Sequence, residues 1–217
     1  AQIGGASAIL DPAALAWTWP ALGPSSAATA IGAAAFATAW VLRSRLAAGA
    51  GALALAASFG LTGHIQALES PGLAPWAVSL HVLIAAFWFA GPITLWPARE
   101  LEEPALHARV ARFSNWATAA VPVLFALGLW LALLLAGGWT PLITTLYGQL
   151  LLAKLSAAGL ALALGAYNKA IVTARLRTAP AAGRRALTLT LGLDVVLFAI
   201  ALSAIAAATS LTGPPSA

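Results

Sequence analysis

Of 217 residues, 61% are hydrophobic and only 8% are charged, whereas soluble domains carry charge at about 25% of positions. That excludes an ordinary soluble enzyme, and the length suits one helical bundle rather than two domains. The net charge of +5 does not indicate nucleic-acid binding, because the basic residues sit in loops between apolar stretches and act there as topology determinants.

The chain has no Cys and no Met. It therefore offers no disulfide, no thiolate metal ligand and no thioether site for Cu(I). It begins with Ala1, which implies a removed Met, a cleaved signal or an upstream segment.

Within residues 1–23, the apolar stretch from Ile9 to Gly23 contains Leu10, Leu15, Trp17 and Trp19 and ends in Pro20, with Pro24 just beyond. This stretch is too short to span and is expected to be a periplasmic, interfacial segment anchored by its tryptophans. Residues 24–212 are expected to form an all-α polytopic transmembrane helical bundle. A span needs about 20 mostly apolar residues, and six stretches qualify, at about 24–43, 46–66, 75–97, 114–137, 147–170 and 186–210.

Ten of the eleven basic residues fall on alternate connections. Arg43 and Arg45 mark the first, Arg99, Arg109 and Arg112 the second, and Lys169, Arg175, Arg177, Arg184 and Arg185 the third. The opposite side has Glu69-Ser-Pro-Gly72 and Gly137-Gly-Trp-Thr-Pro141, with no basic residue. The excess of positive charge places the basic loops in the cytoplasm and both termini in the periplasm. Trp76 and Trp139 then mark the outer boundary and Trp40, Trp96 and Trp116 the inner one, while Trp88 and Trp130 are expected to fill the bundle.

Two histidines fall on the outer side. His64 closes the second span and His81 lies early in the third, roughly 12 Å and roughly 7 Å outward of their helix midpoints at ~1.5 Å per residue. The two helices are consecutive, so the imidazoles can share one site for copper or haem iron. The alternative is one interfacial His and one hydrogen-bonded inside the bundle. Lys154 lies at depth near the His81 level, where a charge costs ~2.5–3.5 kcal/mol unless it finds a partner or water. It either snorkels to the interface or serves as a counter-ion, repelling a copper ion but attracting a haem propionate. Asp194 interrupts the last span on its cytoplasmic side. It serves either a proton or cation relay or a structural hydrogen bond, for instance to Asn115 or Asn168. His107 sits in a charged loop and is expected to be solvated. No phosphate-binding loop, dinucleotide fingerprint, zinc-protease motif or nucleophile elbow occurs, so a transporter or metal-binding protein is favoured over an enzyme.

Several segments together resemble the membrane domain of the CopD/PcoD copper-resistance family. They are Leu61-Thr-Gly-His64, the run from Leu80-His-Val through Phe87-Trp-Phe-Ala-Gly91, Arg112-Phe-Ser114, Thr145-Leu-Tyr-Gly through Leu152-Ala-Lys154, and Tyr167-Asn-Lys169. The resemblance spans about residues 58–205. It implies a bacterial inner-membrane protein of copper homeostasis that moves copper from periplasm to cytoplasm with a periplasmic copper-binding partner. His64 and His81 fall at the family's His positions, and Tyr147 and Lys154 in its later polar motif. The same core is also similar to membrane cytochrome b proteins and to HemJ-type oxidases. In that alternative haem b is the cofactor, held by His81 and His64 with Lys154 on a propionate. A third alternative is a non-catalytic accessory subunit of a larger membrane complex.

Overall fold

The computed structural model describes residues 12–68 and 70–211, and every regular element among them is helical. Among the described residues, five helical runs are long and apolar enough to cross a membrane: Leu22–Leu42, Ala74–Ala98, Glu103–Ala136, Leu146–Thr178 and Pro180–Leu211. A sixth apolar helix, Arg45–Gly60, is shorter. Apolar side chains cover the outside, as in Trp40, Leu46 and Leu211, each at least 80% exposed. Such a surface suits lipid and not water. The chain divides into two compact units, one ending at Leu83 and the other starting at Ile84, so the boundary falls inside one helix.

The first unit contains α1 (Pro12–Leu42), α2 (Arg45–Gly60) and the first turns of α3 (Ala74–Ala98). α1 runs through Pro20 and Pro24 without a break, so the boundary expected at those prolines does not interrupt the helix. Membrane helices tolerate such prolines because neighbouring groups satisfy the freed carbonyls. Leu10 lies outside the described residues. Arg43 adopts a left-handed φ of 50° to reverse the chain. Ser44 then caps α2 by accepting the Ala47 N–H at 3.2 Å, an interaction worth about 1 kcal/mol. Small residues let α1 and α2 approach closely. A Cβ on Gly32 would lie 2.6 Å from Leu55 Cγ, and Ser25 Oγ donates to the Ser58 carbonyl at 2.9 Å.

α2 ends at Gly60, short of the boundary near residue 66 that apolar length predicts. Its 16 residues extend about 24 Å, less than the hydrocarbon thickness of about 30 Å. The reason is local. Gly63 takes a φ of +79°, which favours glycine and cannot continue a right-handed helix.

The second unit holds the remainder of α3, then α4 (Glu103–Ala136), α5 (Trp139–Thr144), α6 (Leu146–Tyr167), α7 (Thr173–Thr178) and α8 (Pro180–Leu211). Between α6 and α7 the backbone passes through a π-helical turn, Asn168–Val172, without losing direction. Gly137 ends α4 in a left-handed conformation, its N–H meeting the Leu133 and Leu134 carbonyls. Thr145 starts α6 by accepting the Gly148 N–H at 3.0 Å. The short α5 lies in what reads from sequence as a plain connection.

The core of this unit forms three clusters. Leu106, Val172, Leu176 and Leu187 form one, Trp88, Val121, Ala161 and Phe198 the next, and Ala136, Leu142, Tyr147 and Ala208 the third. Phe89 stacks on Phe198 at 4.0 Å and Trp88 meets the same ring edge-on at 5.3 Å. Trp88 therefore fills the interior as expected. Trp130 does not, since it is 43% exposed on the outer surface of α4. Arg184 on α8 donates to the Arg99 and Leu101 carbonyls, satisfying acceptors that the end of α3 would leave orphaned. The helical hydroxyls are spent on the backbone too, as when Thr94 donates to Ala90 O at 2.7 Å and Thr188 to Arg184 O at 2.9 Å.

Candidate functional site

The close approach of α2 to α3 organises the end of the first unit that carries both histidines. Gly60 lies so near α3 that an added Cβ would collide with the Pro75 carbonyl and the Ser79 hydroxyl. Past Gly60 the chain turns through Gly63 into a single 3₁₀ turn, His64–Ala67. Two features pin this turn back: Ile65 is 4% exposed, and Gln66 Nε2 donates to the Gly60 carbonyl at 2.6 Å. His81 lies on α3, half-buried, two positions beyond Ser79. The segments bearing His64 and His81 are thereby held at one end of the same unit. The sharing of one pocket by the two rings, expected from sequence, turns on the His64 side chain, which lies outside the described residues.

Imidazole nitrogen suits copper, and no sulfur ligand competes for it in this chain. Among the described residues, no group of three His, Cys, Asp or Glu side chains converges as a metal site. A copper ion held by the two imidazoles would keep coordination positions for water or for a donor from another protein.

The remaining candidates lie in the second unit. Tyr147, near the start of α6, is 3% exposed and packs with Ala136, Leu142 and Leu151. Lys154, two turns further on, is half-buried and makes no hydrogen bond or ion pair among the described residues. His107 is half-buried near the start of α4 and not fully solvated.

Asp194 on α8 is 6% exposed and lines a cleft of about 250 Å³ in the second unit, together with Ser114, Thr118, Asn168, Lys169 and Thr173. Asp194 Oδ1 and Asn168 Oδ1 are both buried, and neither has a hydrogen-bond partner among the described residues. The structural hydrogen bond expected between Asp194 and Asn168 or Asn115 is thus not made, and Asn115 is exposed. Each buried acceptor left without a donor costs about 1–3 kcal/mol, so unsatisfied polarity collects at the residues lining this cleft. Sequence reading picks out Asp194 and names Asn168 as one possible partner for it. It misses the π-helical turn that begins at Asn168, for which Tyr167-Asn-Lys169 carries no periodic signal.

Residues 107–208 match the family model described as Copper resistance protein D. This match supports the CopD assignment. Within the CopD-matching segment lie Tyr147, Lys154, Asn168, Lys169 and Asp194, while His64 and His81 precede it. No curated protein and no solved structure matches the chain.

Proposed function

We propose that this CopD-like chain is an inner-membrane copper-handling protein in which His64 and His81 bind copper on the periplasmic side. The observation that carries the reading is the copper-resistance match over residues 107–208. The packing of Gly60 against Pro75 and Ser79, which anchors both His-bearing segments at one end of the first unit, supports the choice of ligands. In this reading a periplasmic copper-binding protein delivers the ion, the two imidazoles receive it, and the helical spans pass it toward the cytoplasm.

Haem b is the competing ligand, and one observation favours it. Lys154 is half-buried in a membrane-spanning run with no described partner, as a counter-ion for a propionate would be. Metal analysis and an absorption spectrum of protein purified without added copper or haem separate the two. The copper reading expects no Soret band and stoichiometric copper uptake on titration; a Soret band in the protein as isolated would replace copper by haem.

Orientation is testable because the chain has no native Cys. A cysteine introduced at Ala181, in the Arg-rich connection, should react with an impermeant maleimide only from the cytoplasmic side. One at Ser70 should react only from the periplasm. The opposite labelling pattern would invert the topology and remove the histidines from the periplasmic face.

A further inference from the structure

We propose that Asp194, together with Asn168 at the head of the π-helical turn, forms an exchangeable proton site in the second unit, separate from the imidazoles. The inference rests on the cleft and not on copper binding. Two of the residues that line it hold a buried oxygen without a donor among the described residues, Asp194 Oδ1 and Asn168 Oδ1, and Asp194 is more than nine-tenths buried. Both orphaned atoms are acceptors, so the missing ligand must bring hydrogen or positive charge.

A metal cation fits poorly. Hard cations take about six oxygen ligands, and two of the cleft's hydroxyls are already engaged. Thr118 Oγ1 donates to Ser114 O at 2.7 Å and accepts from Lys169 Nζ at 2.6 Å, while Thr173 Oγ1 donates to Asn168 O at 2.9 Å. Lys169 is the other charged side chain lining the cleft; α3 and α4 contribute no charged or titratable group there, only hydroxyls, the Trp88 indole and apolar side chains. A proton needs only one oxygen. Adding it to the carboxylate neutralises the buried charge and creates a donor, and removing it returns the proton to water.

The exchange path belongs to the proposal: exposed Lys169 and Thr118 and buried Asp194 all line one cleft, and a proton held at the carboxyl would leave along it. The intervening turn is π-helical, a local widening often found where a helix carries function.

The test is infrared difference spectroscopy on copper-free, membrane-reconstituted protein stepped between acid and alkaline pH. A carboxylic-acid carbonyl band that appears on acidification, shifts in D₂O and disappears in Asp194→Asn is the expected result. Asn168→Leu, which keeps the carboxyl, should move the frequency of that band. An absent band, or one unchanged in Asp194→Asn, would overturn the proposal. An unmoved band in Asn168→Leu would remove Asn168 from the site. Loss of the band on adding sodium at fixed acidic pH would assign the site to a metal cation and overturn proton binding. Because no copper is present, these outcomes are independent of the imidazole site.

Discussion

Replacing His81 by Ala is expected to weaken copper binding by about a hundredfold or more, equivalent to about 2.8 kcal/mol. With no Cys or Met anywhere in the chain, no second soft ligand can substitute for a lost imidazole. His64→Ala should cause a loss of similar size. The double variant should bind little more weakly than either single one, because ligands of one ion act as a unit and their effects do not add. Titration with a competing copper chelator measures all three. Independent, additive losses would mean two separate weak sites, and unchanged affinity in both single variants would remove the histidines from copper chemistry. His81 is half-buried on α3, so a circular-dichroism check must show that the variant retains its helices.

Gly60→Ala is expected to destabilise the protein by about 1–3 kcal/mol, as inserting a methyl into a filled contact does. The added Cβ would meet the Pro75 backbone, which cannot rotate away, as well as the Ser79 hydroxyl. Relief requires α2 and α3 to separate, and that would pull the 3₁₀ turn bearing His64 away from the α3 segment bearing His81. Copper affinity should therefore fall along with thermal stability. Gly49→Ala is the matched control. It lies in the same helix with nothing within 4 Å of its Cβ position, so the helix-propensity gain of Ala over Gly, about 1 kcal/mol, should dominate. Thermal unfolding in detergent compares the two. If Gly60→Ala proved as stable as Gly49→Ala, the close contact that organises the histidine end of the first unit would not hold.

Much of the architecture is legible in the sequence because two simple patterns coincide. Long apolar runs require helices where lipid is the solvent, and the basic clusters around Arg43, Arg109 and Arg184 mark every second connection. Hydropathy fails where geometry and not polarity decides. Leu61-Thr-Gly63 is apolar enough to prolong α2, yet a left-handed glycine ends it. Pro20 and Pro24 look like a helix break, yet α1 passes through them, and the run long enough to cross a membrane starts beside them at Leu22. Trp130 has the depth of a core residue but lies on the outer surface of its helix, a distinction that rotation about the helix axis decides and depth does not.

The candidate sites divide along the same line. Rare polar residues in apolar runs stand out at once, which is why His81, Lys154 and Asp194 are visible without a structure. Tyr147 enters only through the family resemblance, and its ring packs in the core of the second unit, where a phenol satisfies apolar neighbours. The pairing of Asp194 with Asn168 is legible only as one option beside Asn115, and the cleft that both residues line is not legible. It depends on α6 and α8 packing with a π-helical turn between α6 and α7, and a five-residue irregularity leaves no trace in periodicity.

The central claim, that imidazoles of this chain hold copper, is tested most directly by X-ray absorption at the copper edge on the copper-loaded protein and on its His64→Ala/His81→Ala variant. The account predicts the multiple-scattering signature of imidazole rings about the metal in the native protein and its disappearance in the double variant. An identical spectrum in both, or a native spectrum free of imidazole scattering, would contradict it.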